Sequence, residues 1–143
     1  PSATVGGEYH RRSCAVHREP TLRRNTLFYI LRSAPKRVEW LGTSLRDLQS
    51  LPTAAQQVLG YGLHRVQVGD MPVDWRPLTS IGAGVVEIRA HVDGEFRLLY
   101  VARFPECVYV LHAFQKKTQK TSPRDLAVAK ARFALIRRRP HER

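Results

Sequence analysis

The chain predicts an α+β fold in which helices pack on an antiparallel sheet. Three observations predict it. Apolar runs at 85–92, 96–103 and 107–114 follow one another across turn-sized gaps, as in a three-stranded meander. Helical spacing of apolar residues precedes them (Ala55, Val58, Leu59, Leu63, Val66) and follows them (Leu126, Ala129, Phe133, Ile136). Helix-start signals stand where each periodic stretch begins.

In chain order, Lys36-Arg37-Val38-Glu39-Trp40-Leu41 reads as a first strand. Thr43 or Ser44 then caps a short helix with Leu45, Leu48 and Leu51 on one face. Pro52-Thr53 restarts the chain. Thr53 and Gln56 have capping-box spacing, in which each side chain satisfies an orphan backbone N–H of the first turn. Gly69 is placed to end this second helix. Trp75-Arg76-Pro77-Leu78 connects it to the meander, with Trp75 expected to plug the sheet edge. Ser122 caps the last helix, Pro123 suits its first position and Asp125 favours the positive end of its dipole. Pro140 stops it.

The first hairpin carries a question of register. Glu87, Arg89 and His91 alternate with Val86, Ile88 and Ala90; Phe96, Leu98 and Tyr100 alternate with Arg97, Leu99 and Arg103. A two-residue Asp93-Gly94 turn would pair Val92 with Glu95 and set Arg97 beside Ala90 on the apolar face. A three-residue loop with Gly94 in the left-handed region shifts the parity. It gathers Ile88, Ala90, Phe96, Leu98 and Tyr100 on one face, and Glu87, Arg89, His91, Arg97 and Arg103 on the other. Burying an unpaired arginine costs several kcal/mol, so the second register is expected, and with it a cationic sheet face ending at Lys116 and Lys117.

The 143 residues suit one domain, and a 43% hydrophobic content suits an ordinary core. The net charge of +12 predicts anionic partners. That charge is uneven. Residues 35–114 hold 8 Lys/Arg and 8 Asp/Glu, which cancel. Residues 1–34 contribute +4 and residues 115–143 contribute +8. The domain is expected over 35–143. Residues 1–34, which begin at Pro1 and show no clear period, are expected to be a basic extension, either disordered or foreign to the domain. Cys14 and Cys107 cannot form a disulfide framework, so reduced thiols and a cytoplasmic location are expected. No Cys/His spacing suggests a metal site. No apolar run is long enough for a signal peptide or membrane span.

The chemistry-bearing candidates each have a plainer explanation. The turn Gln115-Lys116-Lys117-Thr118-Gln119-Lys120 either holds phosphate at the rim of the sheet or is solvated surface. Arg89 and Arg97 either form an anion site or pair with Glu87 and Glu95. His112, alone in an apolar strand, is more often a satisfied core or rim histidine than a catalyst. Phe114 belongs in the core before it belongs under a base.

The segments Lys36–Leu41 (KRVEWL), Trp75–Leu78 (WRPL), Val86–Arg89 (VEIR), Phe96–Tyr100 (FRLLY) and Val110–Pro123 (VLHAFQKKTQKTSP) resemble the HigB-like branch of the RelE/ParE toxin superfamily. The match covers roughly 35–137, and FQKKTQKT followed by Pro and a helix is its most specific part. The resemblance implies the toxin of a type II toxin–antitoxin pair, a ribosome-dependent messenger-RNA endonuclease that uses neither metal nor cofactor. Its expected partners are a HigA-like helix-turn-helix antitoxin, the ribosome with its message, and operator DNA through the antitoxin complex. By position the resemblance assigns catalytic roles to Arg89, Arg97 and Lys116, with Lys117 beside it. RNA or ribosome contacts are expected from Arg76, His91, His112, Gln119, Lys120, Arg137, Arg138 and Arg139. The chain departs from the pattern at Glu87, where some relatives carry lysine, and in having no Tyr after Tyr109. The general acid and base stay open among Lys116, Lys117, His112 and Glu87. A ParE-like gyrase inhibitor or a non-catalytic antitoxin and operator binder are the alternatives on the same fold.

Overall fold

The computed structural model describes residues 34–140. The expectations for 1–33 and for Cys14 lie outside the described residues. The elements are β1 (Arg37–Trp40), α1 (Ser44–Gln49), α2 (Thr53–Gln67), β2 (Trp75–Pro77), β3 (Val85–His91), β4 (Glu95–Val101), β5 (Cys107–Lys116) and α3 (Pro123–Arg137). The strands form one five-stranded sheet in the order β1-β5-β4-β3-β2. The fold is α+β, as expected, with two corrections. First, the sheet is mixed rather than antiparallel: β1 runs parallel to β5, with Val38 opposite Val108 and Trp40 opposite Val110. Second, the Trp75 segment is itself an edge strand, paired with β3 through Trp75–Ile88 and Pro77–Val86. Three residues are too few to show an alternation. Pro77, with no N–H to donate, suits an edge.

Both faces of the sheet are covered. On one, α2 buries Ala55, Leu59, Leu63 and Val66 in a cluster with Ile88, Ala90, Phe96, Leu98, Tyr100, Val108 and Val110. On the other, α3 buries Ala129, Phe133 and Ile136 with Val85, Leu99, Val101, Tyr109, Leu111 and Phe114. A strand buried on both sides needs apolar residues at every position rather than every second one. That is why β5 is buried without interruption from Cys107 to Phe114.

The helix ends obey the sequence in part. Ser122 Oγ accepts the Asp125 N–H at 3.1 Å, and Pro123 opens α3, as expected. The capping box at Thr53 does not form. The N-cap is Pro52, and the Gln56 amide donates to the Gln49 and Leu51 carbonyls at 3.0 and 2.7 Å. Gln56 thus satisfies the open end of α1 rather than the start of its own helix. Val58 and Leu45, expected on buried faces, are 42% and 40% exposed. Gly69 follows α2 at φ +91°, as expected of a residue ending a helix.

The hairpin takes the register that parity requires. His91 pairs with Glu95 around the three-residue loop Val92-Asp93-Gly94, and Arg89 stands opposite Arg97. Gly94 has φ +139° and Asp93, also left-handed, φ +50°. Gly94→Ala forces a side chain into that backbone, with its Cβ 3.2 Å from the Gln115 amide. It should destabilise the protein by about 1 kcal/mol or more. A thermal midpoint equal to that of the parent chain would show that the loop does not hold Gly94 in this conformation.

Candidate nucleic-acid interface

Toward the hairpin end, the face of the sheet under α3 carries charged groups that neutralise one another. Arg97 is 2% exposed and Glu87 is 4% exposed. Arg97 Nε lies 2.6 Å from Glu87 Oε1, although the N–H does not point along that line, so the contact is an ion pair rather than a well-aligned hydrogen bond. Its other nitrogens donate to the Phe96 carbonyl at 2.9 Å and to Glu95 at 3.3 Å. Glu95 also holds His91 Nδ1, and Asp74 holds His91 Nε2 at 2.7 Å. Asp74 lies 3.8 Å from the Arg89 guanidinium. The expected cationic sheet face is therefore a row of alternating charges. The physical reason is desolvation: a buried arginine needs carboxylates, and Glu87 and Glu95 supply them.

The His91 pKa is raised, first by its hydrogen bond to Glu95 and then by that to Asp74. The Glu95 carboxyl is lowered, chiefly by the same bond to His91.

The free charge lies one strand away. The register between β4 and β5 breaks between Leu99 and Tyr100: Leu99 faces His112 while Tyr100 faces Val110, leaving Leu111 as an extra residue. A bulge of this kind puts two successive side chains on one side of the strand. Leu111 joins the core beneath α3, and His112 turns to the same face. His112 Nε2 is 2.7 Å from Asp125 and Nδ1 3.3 Å from Asp47, and the ring stacks on Phe114 at 5.0 Å. Arg132 completes the junction, donating to Asp47 at 3.2 Å, to the Leu111 carbonyl at 2.7 Å and to Thr43 at 2.8 Å. Ser122 donates to Asp125 at 2.6 Å. This junction ties α1, β5 and α3 together.

Above it opens a cleft of about 440 Å³ at the end of β5. Lys116, Lys117, Lys120, Arg124 and Arg132 line it, with Asp47 and Asp125 on its floor. Both acids are occupied by His112, Arg132, Thr43 and Ser122. Lys116, Lys117, Lys120 and Arg124 have no ion-pair partner among the described residues. The positive end of the α3 dipole, where Ser122 already caps the Asp125 N–H, lies at the same place. Unpaired cations around an open cleft suit a phosphate-bearing ligand.

The candidates thus divide. Lys116, Lys117, His112 and Lys120 come together in the cleft. Arg89, Arg97 and His91 stand apart in the paired network. Gln119 is exposed in the turn, and Arg76 is exposed on β2 opposite Glu87. Arg137, Arg138 and Arg139 lie at the far end of α3, where Arg139 pairs with Glu39. Asp47, Asp125, Arg124 and Arg132 were not singled out as site residues. Arg124 continues the basic run from Lys120 and could have been counted with it. Nothing local marks Asp47, which lies 65 residues from His112.

Two outcomes follow from the network. Arg97→Ala strands the buried Glu87 carboxylate and should cost about 3–5 kcal/mol, whereas Glu87→Leu with Arg97→Met should recover most of the loss. Equal denaturation curves for Arg97→Ala and the parent would refute the pairing. A raised His91 pKa means that its contribution to stability is complete below the unfolded value near 6.5 and is lost as pH rises through the higher folded value. The gap in melting temperature between the parent and His91→Gln should therefore narrow from pH 6 toward alkaline pH. A constant gap would contradict it.

Among the described residues no group of His, Cys, Asp or Glu could hold a metal ion, and no helix is long and apolar enough to cross a membrane. No curated protein matches the chain. Among solved structures it is similar to one from the toxin–antitoxin complex RelBE2 of Mycobacterium tuberculosis, at 23% identity and a TM-score of 0.39. That match covers 58% of this chain and all of the other. The family model for phage derived protein Gp49-like (DUF891) matches residues 46–134, from α1 to the last turn of α3. That span includes both sheet faces and the whole lining of the cleft except Thr43, and it is more than half of the chain, which belongs to the Gp49-like family.

Proposed function

We propose that this chain is the toxin of a type II toxin–antitoxin pair, acting in the cytoplasm as a ribosome-dependent endonuclease on messenger RNA. The observation that carries the proposal is the cleft, where Lys116, Lys117, Lys120 and Arg124 face open space without carboxylate partners. The resemblance of VLHAFQKKTQKTSP to HigB-like toxins supports it, since that segment builds most of the cleft wall. A HigA-like helix-turn-helix protein is the proposed antitoxin.

In the proposed reaction the ribose 2′-oxygen attacks the adjacent phosphorus. The bond to the 5′-oxygen breaks and a 2′,3′-cyclic phosphate forms. The 2′-OH gives up its proton to solvent water in the open cleft, and the leaving 5′-oxygen takes one up from a lysine ammonium. The cleft cations stabilise the charge gathering on the non-bridging oxygens, and Lys116 or Lys117 is assigned to give that proton. His112 has both ring nitrogens committed to carboxylates, so it is assigned to positioning the wall rather than to proton transfer. Arg97 is assigned to the sheet. Arg89, one-third exposed, is the arginine of that pair that a substrate can reach.

One observation favours a second reading, a non-catalytic inhibitor or binding protein on this fold. Arg97 and His112, both buried, are each held by two carboxylates, Glu87 and Glu95 for Arg97 and Asp47 and Asp125 for His112. Mapping the 5′ ends of cellular messages after induction separates the two. Translation-dependent cleavage is expected, and it should fall by roughly two to three orders of magnitude in Lys116→Ala, Lys117→Ala. Growth arrest with no new 5′ ends would refute the endonuclease.

A further inference from the structure

We infer that a second cationic groove, on the other flank of α3, binds the phosphodiester backbone of RNA. The groove measures about 530 Å³ and is lined by Arg103, Lys130 and Arg137 over a floor of Ile81, Gly82 and Phe133. Among the described residues no acidic side chain lines it. None of the three cations has an ion-pair partner among the described residues, in contrast to the arginines of the sheet face. A single solvated lysine or arginine is unremarkable. Three converging on one concavity repel one another, and among the described residues no acidic side chain pairs with any of them to offset that repulsion.

The groove is also built. Gly84 has φ +84°, and a Cβ there would stand 2.9 Å from Arg103 Cδ, so the arginine stem lies across a position that only glycine leaves open. The Arg103 guanidinium sits 5.0 Å from the Phe104 ring centroid, which restrains it further. A Cβ on Gly82 would stand 2.3 Å from the Phe133 ring, so the loop is pressed against α3 and forms a fixed wall. Lys130 and Arg137, seven residues apart, project from the same side of the helix about 10 Å apart along its axis.

The geometry favours a strand of phosphates over a membrane surface. The large apolar side chains of the floor, Ile81 and Phe133, are each 7% exposed, so none projects to enter a bilayer. Arg124 and Arg132 line the first cleft from one flank of α3, and Lys130 and Arg137 line the groove from the other. A polyanion longer than one nucleotide could therefore engage both sides of one helix. The choice of RNA rests on the function proposed above; the groove's affinity for phosphate does not.

The test uses the full chain and a fluorescein-labelled 12-nucleotide oligouridine, with affinity measured across a salt titration. Each phosphate contact to a single strand contributes about 0.7 to the slope of log affinity against log salt. Arg103→Gln, Lys130→Gln, Arg137→Gln should make the slope shallower by about 2. Lys130→Gln, Arg137→Gln, which leaves Arg103 across Gly84, should make it shallower by about 1.4. Circular-dichroism melting checks that both stay folded. An unchanged slope in the double variant overturns the groove, as does a variant that loses binding only to phosphatidylserine-rich vesicles. Parent protein that binds RNA with a slope set by the groove, yet produces no cleavage in cells, supports the groove and refutes the endonuclease.

Discussion

One extra residue in β5 organises this molecule. With Leu111 bulged out of the ladder, the side chains on either side of it change parity. Without the bulge His112 would share the α2 face with Val110, deep in a cluster of aliphatic side chains, and its ring would have no polar partner. With it, His112 reaches Asp47 on α1 and Asp125 on α3. Arg132 then donates to the Leu111 carbonyl at the irregular point of the ladder, and to Asp47 and Thr43. Three elements distant in sequence are fastened at one point, and that point is the floor of the cationic cleft.

Two kinds of positive charge result, separated by solvent. Arg97 is buried, so it is held by Glu87, Glu95 and a backbone carbonyl. Removing a charge from water without such partners costs more than the fold's margin of stability allows. Lys116 and Lys117 remain partly or wholly in water, where solvation does that work and no carboxylate is required. Lys116 stands opposite Glu95, so the two regimes meet across a single pair of strands. The unpaired charge that lines clefts is therefore at the rim of the sheet and along α3, not at the buried Arg97.

Much of this architecture was legible in the residues. Ser122-Pro123 marked the start of α3, because a cap and a proline act within one turn. Arg97 beside Ala90 would have been an unpaired buried charge, and this was enough to choose the three-residue loop at Asp93-Gly94. The same parity placed Arg89 and Arg97 together. What it could not show was that Glu87 and Glu95 lie close enough to cancel them. Side-chain direction follows from alternation; pairing depends on burial, and burial depends on what packs above.

The sequence by itself determined every element but β2, their order, the hairpin register and the concentration of charge in residues 115–143, because each depends on neighbours within a few residues. Tertiary structure alone decided the parallel pairing of β1 with β5, the short edge strand β2, the bulge at Leu111 and the clamp on His112. Each of these joins groups that are distant along the chain, as Asp47 and His112 are, or turns on a single inserted residue in an unbroken apolar run. In such a run every position looks buried, so no periodicity reports which side chain faces which helix.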